Sequence, residues 1–402
     1  MVAQKIVGAD LLRSFACLAV FGHHLATAMH APGLPSAVQA FAHLLDYGKF
    51  GVAVFFVLSG FLLGRPFWRQ LDTDKPFALG SYAMLRLSRI APAAWVCLLV
   101  SVAFDVFYRG GGNDFTIVRL LSGIVFVSDW HWLTIFPVDA NGPLWSLSFE
   151  VSAYLFMPLV FVVCRATMPD LMRGWSGRYV WSGVILAGLL LHALATGALP
   201  EADAAAAADY GVGATAVRWF PAYNAFGFFA MFAIGTLIAG VKTLVPVTAS
   251  RREVAQGALV LIAGTLVPTA VFAAMSRPLG IPMPPFAFPM APLTTALFLY
   301  LAPYAPARSW LDNRYTQFLA EISFGVYIWH VLILIVVTDS LAMLAMPAIV
   351  RLALIAGLTL GATGLLSWAS FKWFEAPIVN RVRDWMTTPS KTLASPAAVR
   401  PR

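Results

Sequence analysis

Arg13, His23 and His24 stand in the stretch LLRSFACLAVFGHHL, residues 11–25, where every other side chain is apolar or small. A charged side chain at the centre of a bilayer costs roughly 3 kcal/mol on insertion scales, so it ordinarily lines a cavity and has a task there. Eleven residues turn a helix through about 1100°, which leaves Arg13 and His24 only about 20° apart around the axis. His23 lies about 80° off that line, so the spacing selects the second histidine. At about 1.5 Å per residue His24 is roughly 16 Å deeper than Arg13. An imidazole at that depth can take a proton from a hydroxyl and later return it to a leaving group. The competing reading is a neutral histidine hydrogen-bonded between helices.

Two more titratable groups belong at a similar level. Glu150, in WSLSFEVSAYLFMPL, is about one turn inside the end of its apolar stretch, and a carboxylate there needs either a proton or a cation. His24 is its expected partner. His330, in ISFGVYIWHVLIL, enters from the opposite end at about 14 Å depth and is either a third member of the group or a structural histidine. SYAMLRLSRIAP sets Arg86 and Arg89 at i and i+3, one helix face, where the next apolar stretch begins. Two guanidinium forks with that spacing suit phosphate oxygens, and simple anchoring at the membrane surface is the alternative. FGVAVFFVLSGFLLGRPF holds Gly60 and Gly64 in a GxxxG pattern beside Ser59, which reads first as close helix contact. There is no P-loop, GxGxxG, HExxH or GxSxG sequence, hence no recognisable motif for ATP, a dinucleotide or zinc.

The elements that must position these groups are membrane helices. The 402 residues are 60% hydrophobic and 11% charged, with a mean hydropathy of +0.78, whereas soluble domains are roughly a quarter charged. Stretches of about 20 apolar residues, the length that crosses a bilayer core, centre near residues 20, 58, 97, 155, 189, 230, 265, 295, 330 and 361. This predicts an all-α integral membrane protein of about ten transmembrane helices. The apolar run 119–128 is too short to cross and is expected to be re-entrant or interfacial.

Counting Lys and Arg with the amino terminus in the cytoplasm puts 21 on that side and 6 on the other, so both termini are expected in the cytoplasm. A net charge of +8 spread between apolar segments is not the footprint of a nucleic-acid binder. Cys17, Cys97 and Cys164 lie in apolar sequence without metal-ligand spacing and read as packing residues. The first stretch lacks a strong basic flank and is expected to persist as a span rather than be cleaved as a signal peptide. The loop 108–143, with GGGND and SDWHWLTIFPVDANGP, offers either an interfacial aromatic belt or a stacking surface for an acceptor such as a sugar. Residues 385–402 read as a disordered cytoplasmic tail, and 1–384 as the membrane domain.

At these residues the sequence resembles the membrane acyltransferase 3 family, which includes bacterial O-acetyltransferases of surface glycans. The resemblance runs over roughly 8–383 and rests on six pieces in order: LLRSFACLAVFGHHL, GVAVFFVLSGFLLGRPF, LRLSRIAP, GPLWSLSFEVSAYLFMPL, ISFGVYIWHVLIL and KWFEAPIVNRVR. It implies His24 as the catalytic histidine, Arg13 as its companion, Arg86 and Arg89 as the site for CoA phosphates, and Glu150 as an essential acid. Ser59, Tyr327 and His330, within the same pieces, are taken as substrate contacts. The sequence departs from the family pattern in doubling the histidine, GHH, where an aromatic usually precedes a single one.

The resemblance further implies a multi-pass protein of the bacterial inner membrane. It has no bound cofactor or metal, draws on acyl-CoA as donor substrate from the cytoplasm, and acylates a hydroxyl of a glycan or related acceptor on the far side. Two other classes stay open on the residues alone. One is a proton-coupled exporter of a glycan or lipid with His24, Glu150 and His330 as relay; the other is a sensor or assembly subunit in which His24 is dispensable.

Overall fold

The computed structural model describes residues 6–199, 214–305, 311 and 313–387. It is helical, with no strand among those residues. In chain order the helices are α1 (Ala9–Met29), α2 (Ser36–Leu45), α3 (Gly51–Asp72), α4 (Leu79–Phe107), α5 (Thr116–Ile124), α6 (Trp145–Thr167), α7 (Gly174–Ala198), α8 (Ala214–Trp219), α9 (Ala225–Leu244), α10 (Arg251–Ser276), α11 (Met290–Leu301), α12 (Arg314–Ala342), α13 (Ala348–Ser370) and α14 (Ala376–Thr387).

Nine helices among the described residues are long and apolar enough to cross a membrane. The tenth expected span, centred on 295, is instead the shorter apolar segment Met290–Tyr304. Two features shorten it: Pro289 stands at the N-cap of α11, and Pro303 lies in the 3-10 turn that closes it. The run 119–128 falls mostly in α5, whose 9 residues reach only about 14 Å, too little to cross. Trp385–Thr387, at the start of the expected tail, complete α14, and 388–402 lie outside the described residues, as do 1–5 and the acidic stretch 201–210.

The centre of the bundle is the crossing of α3 and α9. A methyl added at Gly60 would stand 1.9 Å from the Phe232 carbonyl oxygen, and one at Gly235 would stand 1.9 Å from that of Val57. Backbones can approach this closely only where neither helix carries a side chain, so GxxxG here is a contact face. Thr236 adds a hydrogen bond from its hydroxyl to the Gly60 carbonyl at 3.2 Å. Fifteen of the 20 residues of α9, from Gly227 to Val241, are buried. Ser59, next to Gly60, faces the other way.

Two arginines counted in the sequence as loop charges are structural. Arg178 lies in the first two turns of α7, fully buried, with its guanidinium 4.1 Å above the Trp68 ring and hydrogen bonds to Asp72 at 2.8 and 3.1 Å. It also donates to the Gly240 carbonyl at 2.9 Å, so one side chain ties α3, α7 and α9 together. Arg119 of α5 is 4% exposed and forms a bidentate pair with Asp139 at 2.6 and 2.7 Å.

Arg119 anchors a segment that the sequence places in an outer loop. Between α5 and α6 the chain dips into the bundle, burying Ile135, Val138, Ala140 and Asn141. The Asn141 amide donates to the Ser101 hydroxyl of α4 at 3.1 Å and the Ile328 carbonyl of α12 at 2.8 Å. Ser128 meets Ser148 at 2.6 Å, and Ser152 donates to Asp129 at 2.9 Å, both on α6. Of the aromatic residues expected to form an open belt or stacking platform, Trp130 is exposed and Trp132 is buried in this plug.

Candidate active site

The residues nominated from sequence fall into two adjoining groups. Six of them, Arg13, Ser59, Arg86, Arg89, Glu150 and Tyr327, line one cavity between α1, α3, α4, α6 and α12. His24 and His330 form the second group, next to it. Tyr327 joins the two, because it lines the cavity and lies 6.2 Å from His330, ring centre to ring centre.

Arg13 projects from the second turn of α1, Arg86 and Arg89 from the third turn of α4. The sequence puts the arginine pair where its span begins. The helix in fact starts at Leu79, so both guanidiniums lie roughly 10–15 Å along it, inside the bundle. The three arginines are within Coulombic range of one another, and none makes a hydrogen bond or ion pair among the described residues. Glu375, which accepts from Ser370 at 2.8 Å, is within Coulombic reach of Arg89.

Glu150 is the carboxylate in the cavity itself. Its Oε1 accepts from the Ser59 hydroxyl at 3.1 Å and from the Tyr154 hydroxyl in a very short hydrogen bond. Tyr154 in turn accepts, through its main-chain carbonyl, from the Tyr82 hydroxyl at 3.0 Å. Glu150 therefore does not partner His24. It stands on the face of α6 that meets α3, so the nearest polar groups are a serine, a tyrosine and the arginines. The net character of the cavity is cationic: three guanidiniums against one lining carboxylate. Its enclosed volume is about 100 Å3, room for only a few water-sized groups.

The partner of His24 is His330, with His330 Nε2 and His24 Nδ1 3.1 Å apart. The surrounding carbonyls fix the tautomers. His330 Nδ1 is 2.9 Å from the carbonyls of both Val326 and Tyr327, which can only accept, so this nitrogen carries the proton. In the neutral ring Nε2 is then an acceptor, and the hydrogen between the rings belongs to His24 Nδ1. That nitrogen is also 2.9 Å from the Val20 carbonyl, a second acceptor. The lone pair of neutral His24 is left on Nε2. His24 is half-buried while His330 is 1% exposed, so the His24 ring has access and its partner does not. His23 stacks edge-on to His24 at 5.1 Å and points elsewhere; its Nδ1 is buried with no partner among the described residues.

Tyr327 is held at the cavity wall by a 2.6 Å hydrogen bond with Ser146 and a 3.2 Å bond to the Pro143 carbonyl, with Phe55 edge-on at 5.8 Å. Sequence reasoning passed over Tyr154 and Glu375. Tyr154 follows Glu150 by four residues, the spacing that brings side chains together on a helix, and that signal was available. For Glu375, an acid at the close of an apolar stretch, the signal was weaker.

A family model described as an acyltransferase domain matches residues 6–368. The chain belongs to the acyltransferase 3 family. Among relatives of this acyltransferase 3 chain, acyltransferase MdmB of Streptomyces mycarofaciens is 29% identical over 180 residues, 43% of this chain and 43% of its own. Peptidoglycan O-acetyltransferase OatA of Listeria monocytogenes is 28% identical over 162 residues, 38% of this chain and 24% of its own. The matched region thus spans less than half the length of these curated relatives. No solved structure matches the chain.

Proposed function

We propose that this acyltransferase takes an acyl group, in the simplest case acetyl, from cytoplasmic acyl-CoA and delivers it to a hydroxyl of a cell-envelope glycan or related acceptor. The observation that carries this reading is the junction of a cavity lined by three guanidiniums, without an ion pair among the described residues, with a histidine whose free nitrogen is fixed by its neighbours. Guanidiniums that make no hydrogen bond or ion pair among the described residues suit the phosphates of a CoA donor. The names of MdmB and OatA, an acyltransferase and a peptidoglycan O-acetyltransferase, agree with the reaction class.

In the reaction, His24 Nε2 takes the proton of the acceptor hydroxyl as its oxygen attacks the thioester carbonyl. The imidazolium that forms is held by its Nδ1–H, which donates to Val20 and His330. The tetrahedral oxyanion and then the departing thiolate form at His24, roughly 16 Å along α1 from Arg13, while Arg13, Arg86 and Arg89 hold the phosphates of the donor in the adjoining cavity. Cleavage of the C–S bond releases CoA, whose sulfur recovers the proton from His24. A route through an acyl-histidine uses the same nitrogen as nucleophile, with the thiolate leaving first and the hydroxyl attacking second. Glu150 sets the field and the hydrogen-bond geometry of the arginine side. In this reading the chain sits in the bacterial inner membrane with both termini in the cytoplasm, the side favoured by the count of Lys and Arg, and donor and acceptor approach from opposite faces.

The test is transfer of label from radioactive acetyl-CoA to envelope material by the protein in reconstituted vesicles, with mass spectrometry naming the acylated sugar. Covalent label on an acceptor, lost in His24→Ala, supports the enzyme. Movement of an unmodified glycan across the vesicle membrane without label on it would favour an exporter instead.

A further inference from the structure

Away from the cavity, three side chains converge at the far end of α1. His30 is the C-cap of that helix, His43 lies in the last turn of α2, and Asp46 opens the 3-10 turn Asp46–Phe50. All three ligand atoms lie within 4.8 Å of one another. His30 Nε2 is 3.2 Å and His43 Nδ1 is 3.6 Å from one oxygen, Asp46 Oδ2. The two imidazole ring centres are 4.9 Å apart, with the ring planes tilted by 51°.

We propose that His30, His43 and Asp46 bind a divalent first-row transition ion of the zinc class, clipping the α2 hairpin onto the end of α1. His30 Nε2 is within hydrogen-bond distance of Asp46 Oδ2, whereas the His43 separation leaves room for a bridging ion. The 3.6 Å separation is too long for a hydrogen bond. Bonds of about 2.0–2.1 Å in a tetrahedral zinc site set neighbouring ligand atoms about 3.3 Å apart, close to both separations seen here. Two imidazole nitrogens and one carboxylate oxygen form a donor set for zinc or its neighbours, whereas calcium and magnesium take oxygen ligands. The remaining ring nitrogens, His30 Nδ1 and His43 Nε2, make no hydrogen bond among the described residues. The site is open: side-chain exposures of 37%, 72% and 40% leave room for water to complete the coordination.

The clip would act on packing that is already tight. A methyl at Gly48 would lie 2.0 Å from the Ala19 carbonyl, and one at Gly22 would lie 3.2 Å from Leu45, so the hairpin rests on the half of α1 that carries His23 and His24. His30 follows His24 by six residues, about 9 Å along the helix and well round it. The ion therefore fixes the hairpin and takes no part at the His24 nitrogen. No sequence pattern announced it, because the spacing His-x12-His-x2-Asp departs from the short ligand pairs of zinc motifs.

The experiment uses the full chain, purified in detergent with a tag free of histidine, stripped with EDTA and desalted. Zinc is then titrated calorimetrically, and tetrahedral cobalt is read by its visible absorption band. The wild type should take up one equivalent. Asp46→Asn, nearly isosteric and checked for its elution volume, should bind at least about tenfold more weakly, as should the His30→Ala/His43→Ala double variant. His131→Ala, which removes another exposed histidine, should bind as the wild type does. Equal uptake by the wild type and the double variant would overturn the proposal, and so would no uptake by the wild type at 100-fold molar excess of zinc.

Discussion

At the scale of single residues, the site is a set of hydrogen-bond directions. Because His330 Nδ1 faces two carbonyls, its Nε2 must accept, and this determines which nitrogen of His24 is free. Removing His24 with His24→Ala should lower turnover by a factor of about 10²–10⁴, the ordinary contribution of a positioned base. In the proposed mechanism His330 acts through His24, so His330→Ala should lower kcat and leave the KM for acyl-CoA near its wild-type value. His330→Gln, whose side chain can still present an acceptor, should recover part of the loss, which a merely structural residue would not allow. The arginines predict the opposite split. Arg86→Lys and Arg89→Lys keep the charge and lose the paired fork, so each should raise the donor KM several-fold with a smaller change in kcat. Steady-state kinetics with acyl-CoA as the varied substrate separates the two classes.

At the scale of helices, close backbone approach decides what the chain tolerates. Gly60→Ala places a methyl where the Phe232 carbonyl oxygen already stands, so α3 and α9 must separate, and the variant should lose thermal stability by several degrees or fail to yield folded protein. Gly80→Ala is the control. A methyl there meets nothing within 4 Å in the first turn of α4, and it should be neutral or slightly stabilising, as alanine is in a helix. Melting of the two variants in detergent, followed by intrinsic fluorescence, measures the difference. Periodicity and length made these helices legible in the sequence, because both follow from the turn and rise of the helix. Pairings between helices were not legible. Glu150 and His24 share an expected depth, and depth says nothing of azimuth, so Glu150 met Ser59 and His24 met His330. The short α11 escaped for a related reason, since hydropathy averaged over a window does not register where proline ends a helix.

At the scale of the molecule, the site depends on a segment that no span count contains. The plug between α5 and α6 reaches α4 and α12 through Asn141 and α6 through Ser128 and Asp129, and α6 and α12 carry Glu150 and Tyr327. Its polarity disguised it in the sequence as an outer loop, although Arg119 and Asp139 pay their desolvation cost by pairing with each other. Asp129 is less well served. Ser152 donates to its carboxyl, Oδ1 is buried with no partner among the described residues, and burial pushes its pKa up to about 6 from the ordinary 3.8. An acid whose folded pKa is raised binds its proton more tightly in the folded state, so the stability it contributes is fully present below 3.8 and is lost as pH rises through about 6. The wild type should therefore melt at progressively lower temperature from about pH 4 to about pH 7, to the extent that Asp129 governs that window. Asp129→Asn keeps an acceptor for Ser152 without the charge. It should melt higher than the wild type at pH 7, with the gap closing as the pH falls towards 4; a gap that stayed constant across that range would mean that Asp129 does not ionise in the plug.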